Sequence, residues 1–253
     1  MTTLYIVGTP IGNLEDISMR ALRILGEVDF ILCEDTRVTK KLLDNYEIKT
    51  PTISYHQHSD QKKVDEVLRL LAKGKNLAMV SDAGTPGISD PGGQLVQAVF
   101  QHFGEDVKIE SVPGPSATTV ALSISGIPTD KFVFMGFPPH KKGRQTFIEK
   151  IFDSEYPVVI YESKHRIIKF LEEVIAHNKQ IKRMNEEIEE MNQRARNKRD
   201  RLEKKSLVTS VVVCRELSKM HETVYRGDLE NIINKIKNNQ DDQRGEFTVI
   251  IGK

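Results

Sequence analysis

Three short segments gather the residue types that can bring backbone close to a ligand: GTPIGN (8–13), SDAGTPGISDPGG (81–93) and VPGPSA (112–117). Glycine carries no side chain to hold a bound group away, and proline stiffens the turn that presents the amides. GTPIGN is neither a phosphate loop ending in Gly-Lys-Ser/Thr nor a GxGxxG dinucleotide turn, so taken alone it also fits a plain tight turn. The second segment interleaves its glycines and prolines with Asp82 and Asp90. Asp82 can accept hydrogen bonds from a ribose or an ammonium group, while both aspartates also suit helix or turn capping. Ser116 stands at an expected helix N-cap, where free amides either face a ligand or are simply capped.

The elements around these segments say where they must lie. LYIV (4–7), Phe30–Cys33, Leu77–Val80 and Lys108–Val112 read as strands, separated by helical spacing at Ser18–Leu25, Arg37–Leu43, Val64–Leu71 and Gln94–Phe103. Alternation of this kind predicts a mostly parallel sheet covered by helices, with ligands outside the carboxyl ends of the strands. PGPS (113–116) breaks the pattern and marks a hinge, giving an N-terminal α/β lobe over 1–112 and a second lobe over 113–253. The second lobe reads as α+β, with a helix at Ala117–Ser125, strands at 131–137, Pro157–Tyr161, Val208–Cys214 and Phe247–Ile251, and amphipathic stretches at Lys142–Phe152 and Leu229–Ile236.

One stretch does not fit a compact lobe. Residues 177–205 hold ten Lys/Arg and six Asp/Glu, with Ile181, Met184, Ile188, Met191, Ala195 and Leu202 at alternating three- and four-residue spacings apart from Lys198 at one seam position. That is a heptad-like stripe on a very polar helix. A single straight helix of about 30 residues would carry the chain about 45 Å from the next strand. The sequence therefore predicts an inserted, out-and-back helical hairpin over about 177–206, turning near Met191–Asn197.

The bulk composition narrows the function classes. A chain of 253 residues with 38% hydrophobic and 29% charged residues and a net charge of +1 has no whole-molecule attraction for a polyanion, so local basic patches must do any such work. Cys33 and Cys214 each sit in an apolar run and read as reduced, buried thiols, not as a disulfide or zinc framework. The start, MTTLYIVGTP, lacks a signal-peptide pattern, and no apolar run reaches the roughly 18 residues of a membrane span. A cytoplasmic protein is expected.

Taken in order, LYIVGTPIGNL, CEDTR (33–37), SYHQHSD (54–60), SDAGTPGISDPG, VPGPSA and MGFPP (135–139) resemble the ribosomal RNA small-subunit methyltransferase I family of the tetrapyrrole methylase superfamily. The likeness runs from residue 3 to about 175 and resumes near 207 with VVVCREL and RGEFTVII. It implies a two-lobed class III methyltransferase fold, S-adenosylmethionine folded into the cleft between the lobes, 2′-O-methylation of a cytidine in 16S rRNA of the small ribosomal subunit, and a homodimer. Carried across by motif, the cofactor residues are Pro10, Asp82, Gly84, Ile88, Ser116 and Ala117, with Tyr161, Cys214 and Glu246 resting on shorter matches. Residues 177–206 stand where family members have a short connection, and many members extend beyond the position of Lys253.

Methylating a ribose hydroxyl from an activated donor asks the protein to align the oxygen and remove a proton. Glu34 and Asp35 in CEDTR, Lys164 in ESKHR and Glu216 in CREL are candidates for the base or for a cation that stabilises the alkoxide; each also suits a surface ion pair. His56 and His58 are expected at the cleft mouth, and no third ligand of suitable spacing makes them a metal site. Three basic clusters would meet phosphates: Arg37, Lys40 and Lys41; Lys141, Lys142 and Arg144; Lys164, His165 and Arg166. Arg37 equally fits as a partner of its neighbouring acids. Tyr55, Phe137 and Tyr161 are available to stack a splayed base. The competing expectations are a methylase of the same superfamily acting on a corrinoid or a protein, and a non-catalytic RNA-binding or ribosome-assembly protein.

Overall fold

A computed structural model describes residues 1–56, 61–90, 92–194 and 201–252. The chain divides into two units, Met1–Ala117 and Thr118–Lys253, so that PGPSA belongs with the first unit, five residues beyond the expected break.

In the first unit β1 (Thr2–Val7), β2 (Phe30–Cys33), β3 (Thr52–Ser54), β4 (Leu77–Met79) and β5 (Val107–Val112) form one sheet in the order β3-β2-β4-β1-β5. Every pairing is parallel. The inner strands β2 and β4 are apolar throughout because both faces are covered, and the period of two sorts the side chains. Ile31, Cys33, Ala78 and Val80 pack with Ala21, Ile24 and Leu25 of α1 (Met19–Glu27) and Leu42 and Leu43 of α2 (Thr36–Asn45). Leu32, Leu77 and Met79 face the other way, onto Val67 and Leu71 of α3 (Gln61–Ala72) and Leu95 and Val99 of α4 (Gly92–Phe103). Because all five strands run the same way, the loops that follow β1, β2, β4 and β5 emerge along one edge.

The second unit opens on α5, which spans Ala117–Ser125 across the division, and continues with β6 (Val133–Gly136), α6 (Arg144–Asp153), β7 (Val158–Ser163), α7 (Ile167–Arg194), β8 (Ser210–Arg215), β9 (Thr223–Gly227), α8 (Leu229–Asn238) and β10 (Glu246–Gly252). Its sheet runs β6-β7-β10-β8-β9, parallel only at β6–β7. Phe170, Phe247, Ile160, Ile167 and Leu171 anchor a core that also takes Ile232 and Ile236 of α8.

The expected helical hairpin is only half helical. Its outward limb is the far part of α7, a 28-residue helix, but residues 201–209 return without helical structure. Of the turn expected near Met191–Asn197, residues 191–194 are still helical, and 195–197, with Ala195, lie outside the described residues. Three asparagines explain the return. The side-chain amide of Asn192 donates to the Leu202 carbonyl and its oxygen accepts the Leu202 N–H, at 2.9 and 2.8 Å. Asn185 does the same to Lys205 and Asn178 to Val208. Seven helical residues rise about 10.5 Å and three extended residues span about 10 Å, so asparagines at i, i+7 and i+14 meet every third residue of the return limb in step. With its backbone satisfied from the side, the return limb needs no helix of its own. At the base Ile181 and Val208 join the core, whereas Met191 and Leu202 farther out are exposed.

Asn185→Ala removes both bonds to Lys205, each with a net worth of about 0.5–1.5 kcal/mol. Amide hydrogen exchange at Lys205 is expected to accelerate by about one to two orders of magnitude while Val208 stays protected. Unchanged exchange at Lys205 would show that the limb is held by something other than the asparagines.

Candidate active site

At the carboxyl edge of the first sheet the loops are braced against one another by backbone. Gly8 N–H donates to the Val112 carbonyl at 2.9 Å, and Thr9 and Gly84 exchange both amide bonds at 2.9 and 3.1 Å. The Thr9 hydroxyl donates to the Ser81 carbonyl at 3.1 Å. Gly8 and Gly114 touch backbone to backbone: a Cβ on Gly8 would stand 2.7 Å from Gly114 N, and one on Gly114 would stand 2.8 Å from the Gly8 carbonyl. Gly84 takes a left-handed φ of 82°, which a side chain would strain. On this frame Pro10 and Gly84 are buried, Asp82 and Ile88 are exposed, and Ser116 and Ala117 are half-buried where α5 begins.

Acidic groups collect beside it. Asp35 N–H donates to Asp82 Oδ1 at 3.1 Å, joining the loop after β2 to the loop after β4. Asp90 Oδ1 accepts the amides of Gly87 and Gly92, so Asp90 caps α4 and closes its own loop. Asp35 caps α2 through the Arg37 amide and also takes the Arg37 guanidinium, which together hold its carboxyl at about 2. Arg37 is thus a partner of Asp35, though 87% of its side chain remains exposed. Glu34 is half-buried; burial first, then the charges of Asp82 and Asp90, push its pKa above the usual carboxylate range, against an opposing influence of His56. Lys40 and Lys41 are exposed on α2, Tyr55 is buried, and His58 lies outside the described residues.

In the second unit the loops after the parallel strands β6 and β7 share an edge, and two arginines tie them together. Arg166 Nη1 donates to the Pro138 carbonyl at 2.9 Å, and Arg144 Nη1 to that of Pro139 at 3.0 Å. Arg166 Nη2 meets fully buried Glu162 at 2.8 Å, and Arg144 Nε reaches both Glu173 oxygens. Glu162 Oε2 has no hydrogen bond among the described residues and faces Arg144 Nη1 at 3.8 Å. Burial pushes the Glu162 carboxyl up, against the pull of its own chain's amide at Ser163 and of both arginines. Arg144, buried, is therefore not the surface cation expected; removing it would take the guanidinium from half-buried Glu173 and leave buried Glu162 to Arg166 alone. Arg166 is likewise turned inward to hold MGFPP. Lys141, Lys142, Lys164 and His165 are exposed.

The antiparallel register brings Glu246 and Glu216 to that same edge, since Glu246 lies opposite Ser163 and Phe247 opposite Arg215. Glu216 accepts the Glu246 amide at 2.9 Å, and Lys219 bridges the two carboxylates at 2.9 Å to each. Although burial opposes it, the Lys219 ammonium and the Glu246 amide hold the Glu216 carboxyl below its usual range, which makes it a weak proton acceptor. Tyr161 OH shares a 2.8 Å hydrogen bond with Thr118, and its ring lies against Phe134 and the half-exposed Phe137. Cys214 is fully buried, and burial raises its thiol to about 11. The sequence reading passed over Thr9, Thr118, Phe134, Glu162, Glu173 and Lys219; only Thr9, inside GTP, and Glu162, inside ESKHR, carried a motif signal.

Over residues 3–233 the chain matches the tetrapyrrole (corrin/porphyrin) methylases, the class that two α/β units with strand-end loops define. It is 38% identical over 251 residues to the ribosomal RNA small subunit methyltransferase I of Thermotoga maritima, covering 99% of this chain and 98% of that one. To the protein of the same name from Synechocystis sp. it is 39% identical over 252 residues, covering 99% and 79%. The crystal structure of diphthine synthase shares the fold, with a TM-score of 0.68 at 14% identity over 100% of this chain and 90% of that one. The chain belongs to the ribosomal RNA small subunit methyltransferase I family.

The methyl donor of such enzymes is S-adenosylmethionine, which supplies a methyl group already activated on a sulfonium. The first unit fits it: exposed Asp82 offers a carboxylate to ribose hydroxyls or an ammonium, exposed Ile88 an apolar surface, and the glycine pair a contact that a single methyl group would obstruct. Among the described residues no group of three or more His, Cys, Asp or Glu is placed to hold a metal, and no helix is long and apolar enough to cross a membrane.

Gly114→Ala forces a Cβ into the Gly8 backbone, which cannot swing aside as a side chain could. A loss of about 1–3 kcal/mol in stability is expected, with weaker S-adenosylmethionine binding by calorimetry. Wild-type values for both would mean that the loops are not interlocked there.

Proposed function

We propose that this chain transfers the methyl group of S-adenosylmethionine to the ribose 2′-hydroxyl of a cytidine in 16S rRNA of the small ribosomal subunit. The observation that carries the reading is the half-buried Glu34, held beside Asp82 at the edge where the donor loops converge. Pro10, Asp82, Gly84, Ile88, Ser116 and Ala117 contact the donor from the first unit, and Tyr161, Cys214 and Glu246 are proposed to contribute from the second. Fully buried Cys214 would contribute through backbone and shape.

Glu34 accepts the hydroxyl proton. Its raised pKa makes it a better base than an ordinary carboxylate. Glu216 is held low by Lys219 and is the weaker candidate; Lys164, exposed, suits a cation beside the developing alkoxide or a phosphate contact. Lys40, Lys141, Lys142 and Lys164, with Arg37, meet RNA phosphates, and Phe137 stacks the splayed base. A cytoplasmic homodimer completes the proposal.

Incubation with radiolabelled S-adenosylmethionine and unmethylated small subunits, with free rRNA alongside, is expected to place label on a cytidine ribose. Label on protein or on a corrinoid acceptor instead, or none, would overturn the reading. In the same assay the rate falls as pH drops through the raised Glu34 pKa, because protonation removes the base. The acid limb is expected above the ordinary value of about 4.3. Glu34→Gln should lower kcat by about 10²–10⁴-fold and abolish that limb; retention of both would remove Glu34 from the mechanism.

A further inference from the structure

β2 and β4 are adjacent and parallel, with Leu32 level with Met79, so the residues leaving the two strands emerge side by side. The backbone ladder ends where Val80 N–H donates to the Leu32 carbonyl at 2.9 Å. Beyond it the strands are joined by a side chain: Asp35 N–H donates to Asp82 Oδ1 at 3.1 Å. The carboxylate of Asp35 is engaged elsewhere, on the amide and guanidinium of Arg37. Asp82 is therefore the partner that fixes the backbone between Cys33 and α2, the stretch that carries Glu34.

A neutral acceptor would serve that bond as well. A charged one stands among Glu34, Asp35 and Asp90, so it adds repulsion that stability alone would not select. The charged groups acting on Glu34 are Asp82 and Asp90 from the loop after β4 and His56 beyond the end of β3; Asp35, next to it in the chain, is paired with Arg37. Of these, Asp82 alone combines charge with a direct bond to the loop; Asp90 is spent on its own turn.

We propose that Asp82 is a positioning residue for the acceptor side of the reaction: its carboxylate clamps the Asp35 amide and so holds the loop that carries Glu34 in place. This rests on the reading of Glu34 as base. It gives Asp82 a second role besides its contact with the donor, so one side chain serves both substrates.

Two variants separate the roles. Asp82→Asn retains an oxygen to accept the Asp35 amide and removes the charge; Asp82→Ala removes both. In Asp82→Asn, exchange of the Asp35 amide is expected to stay slow, because the side-chain oxygen that accepts it is retained. In Asp82→Ala, Asp35 exchange is expected to accelerate at least tenfold and kcat at saturating donor to fall by about 10–100-fold. Slow exchange in Asp82→Ala, or a change confined to the KM for donor in both variants, would overturn the clamp. Exchange reads the clamp without turnover, so a failure of Glu34 as base, seen in Glu34→Gln, remains distinguishable from a failure of the clamp.

Discussion

Gly8 and Gly114 lie so close that neither could carry a methyl group, and the first unit's loops take their positions from that approach. β1 is flanked by β5 on one side and β4 on the other, so the turn after β1 can brace both neighbours at once. On one side it meets Gly114; on the other Thr9 exchanges hydrogen bonds with Gly84. From Gly84 the chain of support runs back through Ser81 to Asp82, across to Asp35 and so to Glu34. A change at Gly114 would thus be felt through three successive loops, each held by atoms that have little room to adjust.

The second unit reaches the same end by other means. Its loops are held by guanidinium groups, which offer several donors in a rigid plane. Arg144 and Arg166 hold the carbonyls of the MGFPP loop, and Arg215 gathers those of Arg244, His221 and Asp241. Such fixing draws on counter-charges, buried at Glu162 and half-buried at Glu173 and Asp242. Backbone bracing tolerates change in side-chain chemistry, whereas the arginine frame depends on each partner being present.

Most of this architecture was legible from period and punctuation. The alternating apolar strands and helices specified the parallel sheet, and the Gly/Pro segments fell at its carboxyl edge because strands in such a sheet all end there. Short β9 (TVYRG) escaped notice because a half-exposed pairing strand has no apolar run to announce it. Arg144 and Arg166 were misread because a basic cluster looks the same whether its members face water or a glutamate; Glu173, 29 residues from Arg144, decides the one, and Glu162, one helical turn before Arg166, the other. The three asparagines on α7 were in plain view, but the apolar stripe at a similar spacing drew attention away from them. Partnerships between distant side chains leave no local period to read.

The asparagine ladder has a consequence for how the arm can change over time. Each rung recognises only main-chain atoms of the return limb, so the side chains at 202, 205 and 208 are not fixed by these bonds. Spacing is fixed instead. Lengthening the arm without breaking register means adding a full helical repeat outward and the matching extended triplet on the way back, about ten residues at a time. Related chains should therefore differ here in discrete steps, with an asparagine kept or lost at each rung, while composition between rungs drifts freely.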